Sequence, residues 1–178
     1  MEKTDFGSMV CPVAQSLHRV GEWWSILILR DAFYGLTRFD EFQKSMGIAP
    51  NMLTRRLNSL VEQGLLERRQ YCERPPRFEY VLTALGRDFR PVLLTLLAWG
   101  NKHFSPDGHA LELVDADTGA IADPVLIDRV TGKAISEGNY VCVAGPGATE
   151  GVHRRLALRK SLREARDAEG KREDDTSV

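Results

Sequence analysis

Cysteine is scarce in this chain of 178 residues: there are three, Cys11, Cys72 and Cys142, far apart and odd in number. A disulfide framework needs pairs, so the pattern agrees with a reducing compartment and leaves at least one thiol free. No Cys-x-x-Cys or His-Glu-x-x-His occurs, and His18, His103, His109 and His153 share no ligand spacing, so neither a metal nor another cofactor is expected. Long apolar runs are missing too. The two longest, at 23–29 and 92–99, fall short of the roughly 18 to 20 residues that cross a bilayer, so no membrane association is expected. The stretch from Met1 to Met9 carries Glu2 and Asp5 and has no apolar core before a small-residue cleavage site, which makes the cytoplasm the expected location. Catalytic constellations are lacking as well. No nucleophile sits at a useful spacing from a base, and Gly145-Pro146-Gly147 lacks the Lys-Ser/Thr of a phosphate-binding loop, so an enzyme is not expected.

What the chain does contain is an ordinary balance for a soluble globular protein, 43% hydrophobic and 28% charged residues. Its net charge of -1 conceals a split. From Thr37 to Arg77 there are eight Arg or Lys against five Asp or Glu; from Ser105 to Glu150 there are two against eight. Local rather than net charge decides where a polyanion can dock, so the first stretch suits phosphates and the second does not.

Periodicity predicts the elements. Val13, Leu17 and Val20 lie at helical spacing before Gly21, and residues 22–34 are apolar all round, as in a buried central helix. Thr37 followed by Asp40 reads as a variant capping box for a short helix through Phe39, Phe42 and Met46, stopped by Gly47. Ile48-Ala49-Pro50 is a turn into a helix over 50–63, with Leu53, Leu57, Leu60 and Val61 in one stripe and Gly64 as the stop. Residues 65–72 and 78–82 alternate as strands, joined by the basic connector 73–77, whose prolines lack amide donors. Thr83 caps a single long apolar helix over about 84–103. Beyond it, Asp117-Thr118-Gly119 and Thr131-Gly132-Lys133 punctuate short apolar runs as hairpins would, the basic stretch 153–166 can be helical, and the polar tail 167–178 is expected to fray. No internal repeat is evident. The expected fold is mainly α with a small β-wing over residues 1–104, a smaller β-rich appendage over 105–150, and a basic segment and tail over 151–178.

A short helix, a tight turn, a second helix and a two-stranded wing form the order of a DNA reader, whose second helix enters the major groove while the first crosses the backbone. On the 50–63 helix, Asn51, Thr54, Arg55 and Asn58 lie opposite the leucine stripe. Arg can bind guanine and Asn adenine through two hydrogen bonds, and Thr offers a hydroxyl and a methyl, so these four are the candidate base readers. Arg74 and Arg77 flank Pro75-Pro76 at the wing tip and, with Arg38 and the helix-opening Pro50, make the candidate backbone contacts. The expected partner is double-stranded DNA. A winged fold serving protein interaction or small-molecule binding would carry the same helices and differ in being indifferent to loss of Arg55 and Arg77.

The residues Cys11-Pro12-Val13, Gly21-Glu22-Trp23-Trp24, Ile28-Leu29-Arg30-Asp31 and Arg38-Phe39-Asp40-Glu41-Phe42 resemble, in order and spacing, the HxlR-type winged-helix transcription regulators. The resemblance continues through Ile48-Ala49-Pro50, Leu53-Thr54-Arg55-Arg56-Leu57, Pro75-Pro76-Arg77-Phe78-Glu79-Tyr80 and Leu82-Thr83-Ala84-Leu85-Gly86, and covers roughly 11–100. It implies a homodimer built from the N-terminal and post-wing helices, binding a palindromic operator and acting as a repressor or activator. It also implies a sensor role for an N-terminal cysteine, here Cys11. Ala49 departs from the serine often found there as N-cap of the reading helix, a loss of about 0.5 to 2 kcal/mol.

Cys11 at a helix start would have a lowered pKa and hence a reactive thiolate suited to oxidants, quinones or aldehydes, although free cysteine is also commonly a packing residue. Trp23, Trp24, Phe33 and Trp99 could line an aromatic effector pocket near a dimer interface, with core packing as the alternative. The basic stretch 153–166 reads as a solvated helix face, with a second phosphate contact or an intersubunit clasp as alternatives.

Overall fold

The computed structural model describes residues 7, 9–136 and 138–175, and for 166–175 the backbone alone. It resolves into two compact units, one of residues Ser16–Ile135 and one drawn from Met1–Gln15 and Ser136–Val178. None of its helices is long and apolar enough to cross a membrane among the described residues.

Helix α1 (Pro12–Val20) precedes α2 (Trp23–Phe33), the spine of the larger unit. Ile28 and Leu29 of α2 are fully buried, as are Phe42 of α3 (Phe39–Met46) and Leu53, Leu57 and Leu60 of α4 (Pro50–Glu62). Full burial of such side chains stabilises by about 1.5 to 3 kcal/mol each, so the leucine stripe alone dictates which face of α4 turns outward. Ile48, Leu65, Leu66 and Tyr80 complete this core.

Helix α3 starts one residue later than the Thr37/Asp40 pattern predicts. Arg38 is its N-cap, and Glu41 rather than Asp40 reaches back, its Oε2 accepting from the amides of Thr37 and Arg38 at 2.8 and 2.9 Å. Those two amides hold the Glu41 carboxyl below the usual carboxylate range. Gly47 closes the helix at φ 62°, a conformation that a Cβ disfavours.

The wing consists of β1 (Leu66–Glu73) and β2 (Pro76–Leu82), antiparallel from Leu66 opposite Leu82 to Glu73 opposite Pro76, with an irregularity at Tyr71. The connector is therefore shorter than the expected 73–77: Pro76 opens β2, where a missing amide is tolerated. The single helix expected over 84–103 is two, α5 (Ala84–Arg87), capped by Thr83 Oγ1 accepting from the Gly86 amide at 3.0 Å, and α6 (Arg90–Phe104). Pro91 explains the break, since its ring and missing amide are incompatible with a helix running through from Ala84 and compatible with a first turn.

The appendage expected to be β-rich over 105–150 forms no strand among the described residues. Residues 105–149 hold turns and two isolated bridges, Val114 with Ile121 and Ile127 with Ala134. Its turns do repeat, contrary to expectation. Asp115 accepts from the Asp117 and Thr118 amides and from the Thr118 hydroxyl, and Asp128, thirteen positions on, accepts from the Val130 amide and the Thr131 hydroxyl. Each copy closes with a left-handed glycine, Gly119 at φ 71° and Gly132 at φ 70°. Short polar turn residues satisfying their own backbone replace the cross-strand ladders that a sheet would need. In the second unit, α7 (Glu150–Asp175) continues well past 166, into the stretch expected to fray.

Candidate nucleic-acid interface

Helix α4 presents Asn51, Thr54, Arg55 and Asn58 to solvent, all exposed, while Leu53, Leu57 and Leu60 are at zero exposure. Ala49 gives no side-chain cap, as expected, and Pro50 occupies the first turn. Asn51 supplies part of what Ala49 lacks, its Oδ1 accepting from the Met52 amide at 2.7 Å. The Thr54 hydroxyl donates to the Pro50 carbonyl at 2.9 Å, and Arg55 Nη2 donates to the Met52 sulfur at 3.0 Å. These are weak, local bonds at an exposed surface, easily exchanged for a base edge.

Arg56, on the adjoining side of α4, is mostly buried and bonds Glu22 at 3.0 Å, at the start of α2. This clamp fixes α4 against the spine. Helical spacing already sets the two apart, Arg55 opposite the leucine stripe and Arg56 about 100° round toward it, and the exposure of one and burial of the other agree with that.

The wing adds cations held in place by aromatic rings. The Arg38 guanidinium lies 4.7 Å from the centre of the Tyr71 ring, and that of Arg68 lies 3.6 Å from Phe78. Such contacts fix a guanidinium without neutralising it. The Tyr80 amide donates to the Thr37 carbonyl at 2.7 Å, and Arg38 bridges Glu79, so the start of α3 is sewn to β2. Arg38, Arg68 and Arg77 line one recess of about 320 Å³. Arg74 and Arg77 are exposed. Sequence reading missed Arg68 and Tyr71 because a cation stacked across a hairpin depends on strand register.

Cys11 stands just before α1. Its thiol is held below the usual range by the amides of Ala14 and Val13, and further by the charge and hydrogen bond of Arg155 on α7, all within the smaller unit. Of the four aromatic residues considered for a pocket, only Phe33 lines the cavity between α2 and α6; Trp24 packs on the core, Trp23 is exposed, and Trp99 lies edge-on to Phe104 and borders a second cavity along α6. Cys72 is half-buried beside the wing and Cys142 is exposed.

A helical core in which α3, a tight turn and α4 lead into a two-stranded hairpin, with a polar face of α4 exposed, defines a winged helix-turn-helix protein. The HxlR-like helix-turn-helix profile matches residues 19–108, and the chain belongs to that family. The uncharacterized HTH-type transcriptional regulator Rv3095 of Mycobacterium tuberculosis is 40% identical over 136 residues, covering 76% of this chain and 86% of its own. PA1374 of Pseudomonas aeruginosa, whose solved structure is described as that of a transcription factor by assignment, is 52% identical, covering 82% of this chain and 99% of its own, with a TM-score of 0.61. PA1607, described in the same way, is 38% identical over 80% of this chain and 100% of its own, with a TM-score of 0.72. The chain is thus a DNA-binding transcription regulator and not an enzyme. With 136 residues matched in Rv3095, the likeness necessarily runs past residue 108, where the family profile stops.

Proposed function

We propose that the regulator acts as a homodimer on a palindromic operator, with one α4 in each of two successive major grooves and each wing gripping the flanking backbone. The observation that carries this reading is the clean division of α4, leucines at zero exposure on one side and Asn51, Thr54, Arg55 and Asn58 exposed on the other. Arg55, Asn51 and Thr54 read bases; Arg38, Arg74 and Arg77, with Pro50 setting the helix entry, position the protein on phosphates. Pairing of two copies is supported by α6, which buries no residue and exposes Val92, Leu96 and Trp99. A helix that apolar and that open calls for a partner surface. Residues 105–150 are an appendage to this reader.

Cys11 is the redox or electrophile input of this proposal, since the helix amides and Arg155 favour the thiolate, the form that reacts with oxidants and electrophiles. An electrophoretic mobility shift with the gene's own upstream DNA, with and without diamide, tests both parts. Retardation that diamide alters is expected. Absence of any shift at low salt contradicts the operator reading, and a shift that diamide leaves unchanged contradicts the Cys11 role alone.

A further inference from the structure

We propose that the cavity between α2 and α6 is a binding site for a small apolar monocarboxylate, its acid group held by Arg90 and Arg30. The cavity measures about 560 Å³, within the range of small-molecule sites. Its walls come from Ile26, Leu27 and Phe33 of α2 and Leu93, Leu94 and Leu97 of α6, and Leu111 to Leu113 cover one side. The cover belongs to the segment beyond residue 108, so a helix-turn-helix protein ending where the family profile ends lacks this wall.

Three charged residues line the cavity, Arg30, Arg90 and Glu112. Glu112 accepts from His109 at 3.3 Å, and its neighbour Leu111 is tied by its carbonyl to the Asn101 side chain at 2.9 Å. Asn101 lies eleven positions along α6 from Arg90, about 16 Å at the helical rise, so the segment that carries Glu112 is anchored well along the helix from Arg90. Arg90 is exposed in the first turn of α6 and makes no hydrogen bond or ion pair among the described residues. Arg30 donates through Nε and Nη2 to a single oxygen of Asp31, at 2.8 and 2.7 Å, and that leaves further N–H groups of its fork for a second acceptor. Two lining arginines with N–H groups to spare, set among leucine walls, match a ligand with one acidic group and an apolar body.

The same arginine gives the site a route to the DNA face. Asp31 is 1% exposed, and its other oxygen has no partner among the described residues, so Arg30 alone balances a buried charge. The Asp31 carbonyl in turn accepts from the amides of Tyr34 and Leu36, next to Thr37, whose carbonyl receives the Tyr80 amide of the wing. A carboxylate that draws Arg30 outward weakens the hold on Asp31 at the root of this chain of bonds. On its other side α2 packs Ile28 and Leu29 into the core that carries α4.

The test uses the full chain without DNA, so that failure of the operator reading does not affect it: titration calorimetry with decanoate and, separately, 1-decanol. Saturable binding of decanoate at one site per chain, at least tenfold tighter than the alcohol, is expected. Arg90→Gln, at an exposed position, should erase that preference, and Leu94→Trp should abolish binding of both. No saturable binding, equal affinity for the alcohol, or a preference that survives Arg90→Gln overturns the proposal. So does Leu94→Trp dissociating a dimer in sedimentation while decanoate still binds, because the cavity would then belong to a second copy of the chain.

Discussion

At the scale of single residues, the same guanidinium group does different work according to what surrounds it. Arg55 is exposed and bonded to a methionine sulfur, Arg56 is clamped to Glu22, Arg38 and Arg68 lie over aromatic rings, and Arg155 faces a thiol. The thiol gives a direct check. Arg155→Gln removes the Arg155 charge that favours the Cys11 thiolate and leaves the amides of Ala14 and Val13, so the pKa should rise while staying below that of an unperturbed thiol. Alkylation by iodoacetamide followed against pH should show its midpoint displaced upward in the variant; an unmoved midpoint would remove Arg155 from the account. Glu41 supplies a second check. Its folded pKa is depressed, so its stabilisation is present above the unfolded value of about 4.3 and is lost as the pH falls through the folded value. Glu41→Ala should therefore destabilise by about 1 kcal/mol at pH 7, the scale of a helix cap, and the gap between variant and parent should close in acid denaturation curves.

At the scale of elements, Gly86 is the tightest constraint. A Cβ there would collide with the Leu65 carbonyl, and backbone cannot yield as a flexible side chain can. Gly86→Ala should lower stability by roughly 1 to 3 kcal/mol in urea unfolding, with α5 pushed off the base of the wing; unchanged stability would mean that α5 does not rest there. The helices were legible in the sequence because each has a strong apolar stripe: the leucines of α4 fixed both its existence and its outward face. Ends were harder. Thr37 and Asp40 fit a capping pattern as well as Arg38 and Glu41 do, and only the backbone shows which carboxylate reaches back. The apolar pattern from Leu85 to Trp99 reads as one helix, and the break comes from Pro91 inside it. The tandem turns at Asp115 and Asp128 escaped notice because the likeness resides in spacing, an aspartate three residues before Thr-Gly, rather than in apolar period. Of the proposed interface, the exposure of Arg55 and its neighbours was readable from helical geometry, whereas Arg68 over Phe78 needed the register of the wing.

For the whole molecule, the account requires two reading helices, and α6 is the proposed seam. Trp99 is 55% exposed and Leu96 42% exposed, values that waste apolar area unless another copy covers it. Trp99→Glu should shift sedimentation toward the monomer and weaken operator binding without unfolding the chain; a dimer that persists unchanged would place the seam elsewhere.

The most direct measurement of the central claim is operator affinity as a function of salt for the parent protein, Arg55→Ala and Arg77→Ala. Arg55→Ala should lose about 1 to 3 kcal/mol of discrimination between operator and unrelated DNA. Arg77→Ala should weaken both DNAs alike and flatten the dependence of log affinity on log salt by about one unit for each phosphate that is no longer neutralised. Equal affinity of all three proteins for the operator, with parallel salt slopes, would contradict the assignment of α4 and the wing to the duplex.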